Sequence, residues 1–211
     1  MSLKVNNRTI VYHGKIFELI RENITLENGT TTDVEFIEHP GAAAIIPFLD
    51  DNRIVLLKQY RHALKKVIWE IPAGTLDPQE EIISCAKREL IEETGYSASG
   101  WQKLGEITPV PGYSDERIHI YLATELQPAE QHLDADEVIQ VQEVEFKDAL
   151  EMIGKGIIQD AKSIVGLFMA SAWLKGNYKL YQNIDAIDHM RFKNIAAGSR
   201  SYEIAVYGIN R

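Results

Sequence analysis

The stretch that decides the fold is Gly74-Thr-Leu-Asp-Pro-Gln-Glu80-Glu-Ile-Ile-Ser-Cys-Ala-Lys-Arg88-Glu89-Leu-Ile-Glu92-Glu93-Thr-Gly95-Tyr96. It predicts a helix from about Pro78 to Thr94, with proline suited to the first turn and Gly95 to the C-cap. At 100° per residue, Glu89, Glu92 and Glu93 share an arc of about 100°, while Ile83, Ala86 and Leu90 lie on another side that can face a core. Glu89 and Glu93 are one turn apart, and at an effective dielectric near 20 their charges repel by about 3 kcal/mol. Arg88 is an i,i+4 partner for Glu92; by the same spacing Glu89 and Glu93 have no cation of their own. Three clustered glutamates by themselves are commonly a solvated face. A divalent cation is the sharper reading, because it converts the repulsion into attraction. Oxygen donors alone suit Mg²⁺ or Mn²⁺ rather than Zn²⁺.

The rest of the chain bounds the possibilities. Its 211 residues suit one domain with an appendage or two small domains, and 45% hydrophobic with 25% charged residues is a soluble globular composition. The net charge of −9 disfavours non-specific binding to nucleic acid or to an anionic membrane. Cys85 is the single cysteine, which excludes an intrachain disulfide and fits a reducing, cytoplasmic compartment. The opening MSLKVNNRTI lacks the apolar core of a signal peptide, and no run of 18 apolar residues predicts a membrane span.

Loose alternation through Val11, Ile16, Phe17, Leu19, Ile24 and Leu26, then Asn28-Gly29 and the run from Asp33 to Glu38, predicts a small antiparallel sheet over residues 1–40. His39-Pro40-Gly41 breaks the chain. Ala42 to Leu49 and Arg53 to Tyr60 read as strands joined in a hairpin by Asp50-Asp-Asn52. Val67 to Ile71 is a short strand stopped by Pro72. Further strands are expected over Trp101–Thr108, Arg117–Ala123 and Val138–Phe146, and helices over Lys147–Lys155 and Asp160–Leu174. Residues 41–175 then form the main domain, and 176–211 a C-terminal extension ending in the strand-like Tyr202–Tyr207.

The spacing Gly74, five residues, Glu80, seven residues, Arg88-Glu89-Leu90-x-Glu92-Glu93-x-Gly95-Tyr96 resembles the signature of the Nudix hydrolases. Seven fixed residues match, and at ordinary residue usage chance gives about one such match in 10⁸ start positions. That outweighs the solvated-face reading. The resemblance implies hydrolysis of a nucleoside diphosphate linked to another group. It also implies an α/β/α sandwich around a mixed sheet, here preceded by the N-terminal antiparallel sheet. Glu89 and Glu93 match metal-ligating positions, Glu92 a further ligand or electrostatic contributor, and the backbone carbonyl of Ala73 another ligand. Arg88 would orient the carboxylates by salt bridges, and Glu80, opposite on the helical wheel, would support them. Gly74 and Gly95 would permit the backbone geometry at the two ends. Mg²⁺ is the implied cation, with Mn²⁺ also suited.

Residues outside the signature resemble the ADP-ribose pyrophosphatase branch. Pro111, sixteen residues beyond Gly95, opens Pro111-Gly-Tyr-Ser-Asp115-Glu116-Arg117, similar to a loop whose glutamate is the general base. Glu116 matches that position, Asp115 is a weaker candidate, and Glu93 is a base in sites without such a loop. Arg61, closing Gln59-Tyr60-Arg61, matches a phosphate-contacting arginine, and Glu70, opening Glu70-Ile-Pro-Ala-Gly74, a residue that binds substrate or metal. The branch also implies a homodimer built by the N-terminal sheet, the partner contributing to each site. Tyr12 or Phe17 would stack on adenine, although an aromatic in an alternating strand is more often core. The implied substrate is ADP-ribose or another nucleoside diphosphate sugar. GDP-mannose is the nearest alternative, and a non-catalytic nucleotide-sensing module is the alternative of another class. The N-terminal sheet and the Pro111 loop argue against a hydrolase of oxidised triphosphates, and the full set of signature carboxylates argues against the sensing module.

Overall fold

A computed structural model describes residues 3–133 and 138–176. Residues Met1–Ser171 form one compact unit, and a second begins at Ala172. The expected strand over Tyr202–Tyr207, and the extension from residue 177 onward, lie outside the described residues.

Strands β1 (Lys4–His13), β2 (Glu18–Thr25) and β3 (Thr31–Glu38) pair antiparallel in that order, as the N-terminal alternation predicts. Gly29 takes φ +83° in the β2–β3 turn, a conformation glycine adopts without steric cost. Ile20 and Ile24 carry this sheet's buried apolar surface, whereas β1 is exposed along its whole length.

In β4 (Ala42–Pro47) every residue is buried, while β5 (Arg53–Arg61) is followed by β6 (Lys66–Glu70) and the short β7 (Ala73–Thr75). The expected β4–β5 hairpin does not form. Asp50 does organise the turn, accepting from the amides of Asn52 at 2.9 Å and Arg53 at 2.8 Å. Beyond one bridge between Phe48 and Ile54, however, the strands part into different sheets. Unbroken apolar runs such as Ala42–Ile46 and Ile54–Leu57 belong in sheet centres covered on both faces, and one hairpin cannot cover both. After β8 (Tyr96–Ile107), β9 (Ile118–Pro128) and β10 (Ile139–Glu145), the sheet orders are β7-β4-β9-β8, with β4 parallel to β9, and β10-β5-β6.

Helix α1 (Ile82–Thr94) lays Cys85, Ala86 and Leu90 on Ala43, Ile45, Tyr121 and Ala123. Helices α2 (Phe146–Gly154) and α3 (Ala161–Leu174) follow β10. From the opposite face of the mixed sheet, Ile46 and Ile120 meet α3 at Gly166, where a Cβ would lie 3.3 and 3.5 Å from them. The mixed sheet therefore lies between helices, the expected α/β/α arrangement. Helix α1 starts at Ile82, four residues later than Pro78, because Gln79 adopts φ +65° and cannot continue a helix. Asp77 to Glu80 instead close a turn, the Glu80 amide donating to the Asp77 carbonyl at 3.0 Å. Among the described residues no helix is long and apolar enough to cross a membrane.

Candidate active site

The apolar side of α1 is pinned to the sheet, which turns Arg88 toward β7 and the Asp77–Glu80 turn and Glu89 toward Gly74. Arg88 is the hub. Its Nε and Nη2 donate to the two carboxylate oxygens of Glu80, both at 2.9 Å, a bidentate pair. Its Nη1 donates to Glu89 at 2.6 Å and Glu92 at 3.0 Å, and Nη2 also reaches the carbonyl of Thr75 at 3.2 Å. Helical spacing alone gives Glu89 no cation, and the structure supplies one in Arg88. A guanidinium has five donors in a fork, so one arginine serves its immediate neighbour as well as its i,i+4 partner. Glu80 holds Arg88 firmly protonated, and Arg88 in turn lowers the Glu80 carboxyl to about 2.

Glu93 is buried, and its Oε2 accepts the amide of Ala73 at 2.8 Å. Two of the expected ligand residues are thereby brought together across twenty residues of chain. Gly74 is required for space rather than for backbone conformation. A Cβ built there would lie 1.8 Å from Glu89 Oε1, so the Glu89 carboxylate fills the place of a side chain. Gly95 does serve the backbone, capping α1 at φ +71°. The end of the helix is closed by Gln131, whose Nε2 donates to the Glu93 carbonyl at 2.6 Å, and by the His132 amide, which donates to the Glu92 carbonyl at 3.2 Å.

Among the described residues no three His, Cys, Asp or Glu side chains converge closely enough to hold an ion as they stand. Arg88 lies against both Glu89 and Glu92 instead. The donor chemistry still fits a hard divalent cation, since Glu89, Glu92, Glu93 and the Ala73 carbonyl offer oxygen only. The hollow at Gly74 gives Glu89 its place next to β7.

Arg61 and Glu70, expected at substrate, are bonded to each other: Arg61 Nε and Nη2 donate to Glu70 at 2.6 and 2.7 Å. Glu70 is 2% exposed, and a second cation, Lys162 of α3, also donates to it. Burial pushes the Glu70 carboxyl up, but Arg61 and Lys162 outweigh burial and leave it below the ordinary range. Sequence alone does not single out Lys162, Asp160 or Ser163. Their one signal is a polar cap ahead of an apolar helix.

The Pro111 loop is stitched to the end of β3. The Ile37 amide donates to Tyr113 O at 2.8 Å, the Asp115 amide to Ile37 O at 3.1 Å, and the His39 amide to Asp115 Oδ1 at 2.8 Å. Asp115 therefore anchors the loop, whereas the Glu116 carboxylate has no partner among the described residues. Pro111 and Asp115 line a cleft of about 550 Å³ with Phe36, Tyr113 and Arg117. Phe17 lines a separate cleft of about 300 Å³ with His13, Lys15 and His39. Tyr12 borders neither cleft. Both rings are exposed, so neither takes the core role common for an aromatic in an alternating strand.

A family model described as the NUDIX domain matches residues 38–164. The chain is 40% identical over 155 residues to the ADP-ribose pyrophosphatase of Bacillus subtilis, covering 72% of this chain and 84% of that one. It is 38% identical over 159 residues to the methanol dehydrogenase activator of Bacillus methanolicus, covering 74% and 86%. Its fold is similar to the crystal structure of an ADP compounds hydrolase, with a TM-score of 0.74 at 23% identity, over 83% of this chain and 96% of that one.

Proposed function

We propose, from the premise that this chain belongs to the NUDIX family, that it hydrolyses the pyrophosphate bond of ADP-ribose or a closely related nucleoside diphosphate sugar, giving AMP and ribose 5-phosphate from the former. The observation that carries the reading is the convergence of Glu80, Glu89 and Glu92 on Arg88, beside Gly74 and the Glu93–Ala73 bond. The substrate class is supported by the likeness to the Bacillus subtilis pyrophosphatase.

In this reading Glu89, Glu92, Glu93 and the Ala73 carbonyl hold the divalent cation, Mg²⁺ with Mn²⁺ as a substitute. Such a cation, when bound, neutralises the diphosphate and acidifies water. Arg88, bonded to both, aims Glu89 and Glu92. Arg61, with Nε and Nη2 on Glu70, offers Nη1 to a phosphate oxygen. Pro111 stiffens the loop that carries Glu116. Glu116 takes a proton from water as the water oxygen bonds to phosphorus. The bridging P–O bond breaks, and two phosphomonoesters leave. Glu93 is the alternative base, but its bond to the Ala73 amide suits a fixed ligand better. The exposed rings of Phe17 and Tyr12 are available to stack on adenine.

The same reading assigns residues 1–40 to a sheet that builds a homodimer, 41–175 to the catalytic domain and 176–211 to an extension. The bare β1, with Val5, Ile10, Val11 and Tyr12 exposed, supports the dimer. A single buried cysteine fits the cytoplasm.

Product analysis with Mg²⁺ tests the proposal, comparing ADP-ribose, GDP-mannose and oxidised triphosphates, with Glu93→Gln as control. AMP and ribose 5-phosphate, lost in the variant, are expected. Turnover of GDP-mannose alone would keep the site and reassign the substrate. No turnover of any candidate would overturn the enzymatic reading in favour of a sensing module.

A further inference from the structure

We infer that Lys162 is a positioning residue for the phosphate-binding arginine. By sharing the buried Glu70 carboxylate with Arg61, it fixes that arginine and leaves its positive charge available to an anionic substrate. The inference rests on the reading of Arg61 as a phosphate ligand.

The geometry ties α3 to the site at two points. Lys162 Nζ donates to Glu70 Oε2, the oxygen that also accepts from Arg61 Nη2. Its second acceptor is Asp160 Oδ2 at 3.1 Å. That same oxygen takes the Ser163 amide at 2.9 Å and the Ser163 hydroxyl at 2.5 Å, which caps α3. Ser163 Oγ in turn accepts the Ile71 amide at 2.8 Å. Helix α3 therefore grips both the side chain of residue 70 and the backbone of residue 71, at the start of the segment that leads to Ala73 and Gly74.

The charge arrangement says what the grip is for. A lysine in the first turn of a helix opposes the helix dipole, and this one is also largely buried. Its position is locally unfavourable and is compensated by Glu70 and Asp160. Arg61 and Glu70 alone would be a neutral pair, with little charge left to attract phosphate. A second cation on the same carboxylate leaves the trio with one net positive charge. Asp160 would cancel it, but the Asp160 carboxylate is turned to the amide end of α3, which holds negative charge well. Lys66 pairs with Arg61 across β5–β6 and adds a further positive charge at that end of the sheet, while Glu93 acts on Arg61 in the opposite sense. Arg61 Nη1 has no bond among the described residues.

The test compares the full-length protein with Lys162→Met and Lys162→Arg. Binding of ADP-ribose is measured by calorimetry in EDTA, where there is no turnover, and KM and kcat are measured with Mg²⁺. Lys162→Met is expected to raise Kd and KM about tenfold, from the loss of one nearby charge, with kcat changed less than about threefold. Lys162→Arg should restore both. Because part of the effect of Lys162 passes through Arg61, Lys162→Met should raise Kd by a clearly smaller factor in an Arg61→Met background than in the unaltered protein. Should Lys162→Met fail to fold, Lys162→Gln, which keeps a donor to Glu70 without the charge, carries the same comparison. Unchanged Kd in the folded variant, a fall in kcat alone, or additive losses in the double variant would overturn the inference. Failure of the ADP-ribose reading shows separately, as unaltered protein that neither turns over nor binds ADP-ribose. Inorganic pyrophosphate then replaces it in the same binding comparison, and unaltered protein that binds neither overturns both.

Discussion

The carboxylate of Glu89 stands where a side chain of residue 74 would be: a Cβ on Gly74 would fall 1.8 Å from Glu89 Oε1 and 1.9 Å from its Cδ. Gly74→Ala must therefore expel Glu89 from β7 and pull it off Arg88 Nη1. Because the displaced group is the end of a flexible side chain, the fold should bear the change, with Tm falling by a few degrees. Catalysis should not. Misplacing a positioned group by about 1 Å costs on the order of 10²-fold, and kcat/KM is expected to fall by about that much. Steady-state kinetics beside calorimetry check this. A Gly74→Ala enzyme of normal activity would mean that Glu89 does not act from this position.

The Arg88–Glu80 pair sets a pH dependence. Arg88's bonds, aided by the Asp77 amide and opposed by partial burial, hold the Glu80 carboxyl at about 2 against an ordinary 4.5. A depressed carboxyl contributes its full stability above the unfolded pKa and loses it as pH falls through the folded one. Asp50, also held at about 2, adds to acid unfolding in the same window, so the informative quantity is a difference between proteins. The Tm gap between the unaltered protein and Glu80→Gln should be largest near neutrality and close between about pH 4.5 and pH 2. A gap that stays constant down to pH 2 would show that Arg88 does not rely on an ionised Glu80.

What was legible in the sequence was local. Helical period places Glu89, Glu92 and Glu93 on one arc, and Asn28-Gly29 places a hairpin, because both depend on neighbours a few residues away. The start of α1 was not legible, since nothing in Pro78-Gln79-Glu80 announces that Gln79 turns to φ +65°. Nor was the parting of β4 from β5, because two apolar runs about a tight turn read equally as a hairpin or as the centres of two sheets. The partnership of Lys162 with Glu70 joins residues 92 apart and has no sequence period to betray it. Gly74 was legible as a requirement but not for its reason, which lies in a carboxylate fifteen positions on.

The proposed homodimer is tested through β1. Light scattering on a sizing column should give about twice the 23.9 kDa chain mass. Ile10 is half-exposed on β1 beside Val11 and Tyr12, and a carboxylate there would have to be buried on association. Ile10→Asp is therefore expected to yield monomers that keep the far-UV spectrum of the parent. A monomeric unaltered protein would remove the dimer from the reading and leave the exposed β1 unexplained.

Asp115 and Glu116 adjoin in one loop, and the structure gives their carboxylates different surroundings. Asp115 Oδ1 receives the His39 amide, fastening the loop to β3, while the Glu116 carboxylate is uncommitted among the described residues. Asp115→Ala removes one hydrogen bond, worth about 1 kcal/mol, and should lower Tm by a few degrees with a modest loss of activity. Glu116→Gln removes the proposed proton acceptor and keeps the shape. Tm should hold while kcat falls by about 10² to 10⁴. Measuring both quantities on both variants decides the assignment, because anchoring and proton transfer move different pairs of numbers. If Asp115→Ala abolishes turnover at unchanged Tm while Glu116→Gln is active, the base is Asp115 and its bond to His39 is what aims it.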